Sequence, residues 1–166
     1  MIFLLSFCGC TKNEQNFLSY QDKNFEAKID FEIKEKSYSA KLEKQNTDTY
    51  KISFISPETL KNVYIEKKGD ELSYSIWNVH IPIQEKTNVC AKIINLFNLS
   101  DSELTSAKTK LHNGLKINIA DFSTEYGKVT LYISSEKNLP VRIESNIDGV
   151  GLNLNISEFK FTDSNN

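Results

Sequence analysis

From Phe25 onward, apolar residues recur at every second position, the period of a strand with one buried face. In FEAKIDFEI, Phe25, Ala27, Ile29, Phe31 and Ile33 share one face, and Glu26, Lys28, Asp30 and Glu32 take the other. After the polar turn KEKS, Tyr38, Ala40 and Leu42 alternate with polar neighbours. Asn46-Thr47-Asp48 predicts another turn, and Tyr50, Ile52 and Phe54 mark a third strand that ends at Ser56-Pro57. Val63 and Ile65 give a fourth strand, Gly69-Asp70 a hairpin turn, and Leu72, Tyr74 and Ile76 a fifth. Successive strands with short links predict an antiparallel meander.

The period changes after Pro82. Val89, Ile93 and Leu96 or Phe97 fall at helical spacing, with Thr87 or Asn88 placed to cap the start. Ser100-Asp101-Ser102-Glu103 has capping-box spacing and predicts a second short helix through about Ala107. Alternation then resumes with Leu115, Ile117 and Ile119; Phe122 falls on the other parity, which predicts a bulge or bend near Ala120-Asp121. Val129, Leu131 and Ile133 follow, then Val141, Ile143 and Ile147, with Arg142, Glu144 and Asn146 outward. Past the turn Asp148-Gly149-Val150-Gly151, Leu152, Leu154 and Ile156 alternate, and parity switches at Glu158 to give Phe159 and Phe161. The predicted fold is mostly β with inserted helices (α+β): one curved antiparallel sheet, a half β-barrel covered by one or two helices.

Composition narrows the class. The 166 residues are 39% apolar and 25% charged, with net charge -2, as expected of one ordinary globular domain. No basic excess points to nucleic acid. Glutamates interleave the lysines between Lys34 and Lys44, which gives a solvated surface and not a phosphate-binding stripe.

The start of the chain carries a different signal. Ile2 to Phe7 is apolar apart from Ser6 and too short to span a bilayer; it fits the end of a secretory hydrophobic region whose basic start would lie upstream, the alternative being a buried N-terminal strand with incidental cysteines. Phe7-Cys8-Gly9-Cys10 resembles the lipobox of bacterial lipoproteins, with small Gly9 before Cys10. That resemblance implies cleavage before Cys10, acylation of its thiol, and a lipid anchor on the extracytoplasmic face of a bacterial membrane. Residues 1–10 are read as this signal-like segment, 11–24 as a polar tether, 25–162 as the folded domain and 163–166 as a tail.

Chemistry-bearing motifs are sparse. His80 and His112 have no carboxylate or cysteine at metal spacing beside them, Cys90 lies on the predicted helix as a small apolar residue, and no phosphate loop, nucleophile elbow or zinc motif occurs. No cofactor is called for, and catalysis is not expected. Tyr74 and Trp77 fit either core packing or the lining of a ligand pocket.

Two stretches carry a family resemblance. KVTLYISSEKNLPVRIESNIDGVGLNLNISEFKF lays out strand, short link, Leu139-Pro140, strand, glycine-bearing turn and a closing strand ending F-x-F. SFISPETLKNVYIEKKGDELSYSIW lays out strand, proline, strand, Gly-Asp and strand. Both are similar to the LolA-like superfamily of lipoprotein carriers, receptors and envelope regulators. The resemblance implies an apolar concave face that holds acyl chains or lipoproteins. That face would be lined by Phe31, Tyr50, Ile52, Phe54, Tyr74, Ile76 and Trp77, under a lid bearing Val89, Ile93, Leu96 and Phe97. The functional expectation is a membrane-anchored envelope lipoprotein that binds a lipid, an acyl chain or a lipidated partner. The alternative is an envelope sensor or assembly subunit that binds another protein through the sheet.

Overall fold

The computed structural model describes residues 16–163 apart from 78, 85–87, 113 and 148; Cys10 and the whole of 1–15 lie outside the described residues. The chain first forms a six-strand meander: β1 (Phe25–Ile33), β2 (Lys36–Asn46), β3 (Thr49–Ser56), β4 (Val63–Lys68), β5 (Glu71–Ile76) and β6 (Val79–Pro82). One α-helix, α1 (Val89–Leu96), follows, and a second meander runs through β7 (Glu103–His112), β8 (Leu115–Thr124), β9 (Gly127–Ser134), β10 (Leu139–Ile147) and β11 (Val150–Phe161). β11 pairs with β1, so the two meanders merge into one antiparallel sheet ordered β6-β5-β4-β3-β2-β1-β11-β10-β9-β8-β7. The segment carrying α1 therefore crosses from one sheet edge to the other.

That crossing shows the curvature. Asn95 of α1 accepts a hydrogen bond from Lys67 of β4 at 3.4 Å, and α1 also packs on β10. In a flat sheet β4 and β10 would stand roughly 24 Å apart, twice a helix diameter, so the sheet curls around α1. Twist accumulates along it too. The six strand steps from β4 to β9 amount to roughly 120–150°. The C-terminal end of β4 thereby meets the turn that leads into β9: Lys67 and Asp70 share a cleft with Thr124, Glu125 and Tyr126.

The faces divide as the alternation requires. Phe25, Ala27, Ile29 and Phe31 of β1, Ala40 and Leu42 of β2, Tyr50 and Ile52 of β3, Leu131 and Ile133 of β9, and Leu152 and Leu154 of β11 are buried on the concave face in one core. The convex face carries charge pairs: Lys41 with Glu26 across strands and with Glu43 along its own strand, Lys160 with Glu26, and Lys28 with Glu158. Each such exposed pair contributes about 0–1 kcal/mol, so burial on the concave side dominates.

Three expectations need correction. The second helix does not form. Ser100 donates to Asn98 Oδ1 at 3.0 Å, and Glu103–His112 is strand β7. Leu104 and Ala107 have helical spacing, yet a register shift between Leu104 and Ser106 absorbs the odd residue and returns both to one strand face. No bulge occurs in β8 against β9; the register runs unbroken from Ile117 to Thr124. Phe122 shares the concave face with Ala120 and Asn118, which leaves Ile117 and Ile119 on the convex side opposite Ser134 and Tyr132. The stretch read as tether reaches the core by Phe17, which is buried with Tyr20 of the 3-10 turn Ser19–Asp22. The cover is one α-helix, α1, together with this 3-10 turn, within the one or two helices expected. The parity switch near Glu158 does exist: Lys28 pairs with Glu158 and Ile29 with Ile156, leaving Ser157 unpaired.

Candidate functional site

The concave face is built from the bottom by side chains that fill it. Asn88 caps α1, its Oδ1 accepting from the N–H groups of Cys90 (2.8 Å) and Ala91 (3.3 Å). The helix then buries Cys90, Ala91, Ile93, Ile94 and Leu96. Beyond its end, the Phe97 ring lies 5.9 Å from that of Phe25, which stacks on Phe159 at 4.8 Å and meets Tyr20 edge-on at 6.1 Å.

A polar clasp holds the 3-10 turn against this aromatic group. Gln21 Nε2 donates to Tyr20 Oη at 3.1 Å, while its Oε1 accepts from Leu99 N–H at 3.2 Å. Lys44 Nζ donates to the Gln21 carbonyl and stands 6.0 Å from the centre of the Tyr50 ring. Burial pushes the Lys44 ammonium below its usual range, while the charges of Asp22 and Asp48 act the other way. Burial also raises the Tyr20 phenol, and pushes Tyr50 up to about 12. Both phenols stay protonated near neutral pH, so the clasp acts as a strut and not as an acid or base.

The eleven residues assigned to the concave site fall into three groups. Phe31, Tyr50, Ile52, Ile93, Leu96 and Phe97 are buried in the core cluster. Phe54, Tyr74 and Val89 are partly buried against it, and Ile76 is half-buried. Trp77 is 76% exposed. The concave face continues past α1 toward β6: Tyr74 pairs with Ile81 and Ile76 with Val79, which puts all four on the core side of the sheet. Ile81 is 48% exposed and Val79 57%. Tyr74, Ile76, Val79 and Ile81 thus form an apolar strip that grows more exposed away from α1, and Trp77 stands in the turn at its end. Sequence reading missed Val79 and Ile81, although their alternation in WNVHIP is the strand signal.

Trp77 has an unusual backbone. It opens the two-residue turn joining Ile76 to Val79, with φ +49°. Two-residue hairpin turns need left-handed residues and favour Asn or Gly there; a bulky side chain costs about 1–2 kcal/mol.

The other candidate groups have structural partners. Ser75 Oγ lies 2.6 Å from His80 Nδ1 across β5–β6, yet Ser75 is fully buried, so no substrate reaches its hydroxyl. The Cys90 thiol is buried and desolvation pushes it up to about 12, away from the reactive thiolate. Among the described residues, no three His, Cys, Asp or Glu side chains converge as a metal site would require.

No protein-family model matches the chain, and none of the curated proteins does. Solved structures do match its fold. An uncharacterised conserved protein from Thermus thermophilus aligns with TM-score 0.57 at 16% identity, over 89% of this chain and 84% of its own. A LolA superfamily protein from Nitrosomonas europaea aligns with TM-score 0.50 at 13% identity, over 87% and 88%. A domain from Vibrio parahaemolyticus assigned to outer-membrane lipoprotein sorting aligns with TM-score 0.50 at 10% identity, over 87% and 89%. The fold is LolA-like.

Proposed function

We propose that this protein is an extracytoplasmic binding protein that takes an acyl chain or a lipidated partner on the uncovered part of its concave face. The observation that carries this reading is Trp77: a largely exposed tryptophan, in a turn position that costs it energy, at the tip of an apolar strip continuous with the core. An aromatic body with a polar N–H suits a site where an apolar chain meets water. The likeness to a LolA superfamily protein and to a lipoprotein-sorting domain supports the choice of lipid chemistry. The role is binding, not catalysis. The lipobox-like Phe7–Cys10 supports acylation at Cys10, where two acyl chains would anchor the protein stably to the membrane.

The test uses a built-in probe, because Trp77 is the only tryptophan in the chain. Palmitate and a synthetic diacylated lipopeptide are titrated into the domain while tryptophan emission is followed. A saturable blue shift is expected with both ligands. Unchanged emission with both, together with no ligand retained in native mass spectrometry, would overturn the reading.

A further inference from the structure

The two edges of the sheet are unlike. β6 is four residues long and ends at Pro82, two devices that stop a strand from recruiting another. β7 is ten residues long, has no proline, pairs among the described residues only with β8, and is exposed at every position from Glu103 to Leu111. Its outer ladder is a free template for a further strand.

The side chains on β7 say what kind of strand fits. On the convex side, Lys108 and Lys110 stand opposite Ile119 and Ile117 of β8, and no ion pair neutralises either lysine among the described residues. On the concave side, Leu104 is 45% exposed and Leu111 71%, with Ala107 between them. A second copy of β7 is a poor partner. Antiparallel pairing about Thr109 keeps like faces together and sets Lys108 against Lys110 of the other copy. The strand is also held ready. Asp121 of β8 accepts from Ser106 Oγ at 2.8 Å, and Thr109 Oγ1 donates to Asn118 Oδ1 at 2.8 Å. An incoming segment therefore meets an ordered edge, which lowers the cost of binding.

From this we infer that β7 is a docking edge for an extended segment of a partner protein, added antiparallel, with carboxylates facing Lys108 and Lys110 and apolar side chains facing Leu104 and Leu111. The site is separate from the apolar strip at β6 and stands whether or not that strip binds lipid.

The test pairs two labelled ten-residue peptides, one alternating Val with Glu and one alternating Val with Lys. Fluorescence anisotropy measures binding to the unmodified protein and to the Lys108→Glu/Lys110→Glu variant, whose changes lie on exposed positions. The unmodified protein should prefer the acidic peptide by on the order of tenfold at low salt, the variant should reverse that preference, and salt should weaken both. Hydrogen exchange should show new protection within 103–112, and Trp77 emission should stay constant. Equal binding of both peptides by both proteins, protection elsewhere, or a concentration-dependent dimer that protects β7 without peptide would overturn the inference.

Discussion

Replacing Trp77 by glycine separates a binding role from a structural one. With 76% of the residue exposed, about a quarter of its surface is covered by the protein. For a side chain that can bury up to about 250 Å², losing that cover costs at most ~1.5 kcal/mol at ~25 cal/mol per Å². Against this, glycine removes the ~1–2 kcal/mol penalty of a bulky residue at φ +49°. The two effects offset, so Trp77→Gly should change stability by less than about 1 kcal/mol, or roughly 2–4 °C in Tm for a chain of this size. Ligand affinity should behave differently. If a bound acyl chain covers half of the exposed indole, removal costs about 2 kcal/mol, which is roughly a thirtyfold rise in Kd. Urea unfolding by circular dichroism gives the first quantity; competition against a fluorescent fatty acid gives the second, because the variant has lost its tryptophan signal. A stability loss above ~2.5 kcal/mol would make Trp77 a packing residue, and an unchanged Kd would remove it from the site.

Asp121 predicts an acid-labile edge. Hydrogen bonds from Thr130 and Ser106, with Lys128 beside them, hold its carboxyl at about 2, below the ordinary 3.8. A depressed carboxyl stabilises the fold above pH 4 and loses that contribution as pH falls toward 2. Asp121→Asn should therefore be about 1–2 kcal/mol less stable at pH 7 and show a flatter pH dependence between 4 and 2 in urea titrations. Asn88→Ala removes the acceptor for two helix N–H groups and should cost ~1 kcal/mol, while Asn88→Asp keeps most of it; both are read by the same unfolding assay. Phe97→Ala opens a cavity beneath fully buried aromatics and should cost ~3–5 kcal/mol, with Phe97→Leu much milder. Cys10→Ala should move the protein from the membrane to the soluble fraction of an expressing bacterium; unchanged fractionation would remove the lipid anchor from the reading.

The strands were legible because most of them bury one face and wet the other. Phe25 to Ile33 needs no structure to be read, and neither does the parity break near Glu158. What failed has specific causes. Ser100 and Glu103 have capping-box spacing, but Ser100 bonds Asn98 instead and pairing with β8 makes Glu103–His112 a strand, which local spacing does not reveal. Ile117 and Ile119 alternate as a core strand would, and Ile119 is buried, although the row on the concave face is Asn118, Ala120 and Phe122; two small or polar residues hid it. Phe17 and Tyr20 sit in a polar stretch with no period at all, yet both reach the core. The candidate site was legible only in its inner part. Alternation marks which face a side chain takes, but not whether a lid lies over it, so Phe31 and Trp77 read alike from sequence.

Coverage explains most of the uncovered apolar surface, but not all of it. Eleven strands laid flat are roughly 48 Å wide, whereas an eight-residue helix is about 12 Å long and 10–12 Å across. One such helix covers only the middle of the sheet. Curling brings β4 and β10 to it and buries the strands between them, and the apolar row surfaces where the curl ends, at Val79 and Ile81 on one side and Leu104 and Leu111 on the other. Those residues need no further cause than geometry. Trp77 does, because glycine or asparagine would serve its turn at lower cost. Lys108 and Lys110 discourage a second copy of β7, and an edge strand protected in the usual way would also be short or carry a proline, as β6 does. The energetically unfavoured choice at one edge and the unprotected length of the other are the features that coverage leaves unexplained, and each is the simplest place to look for a partner.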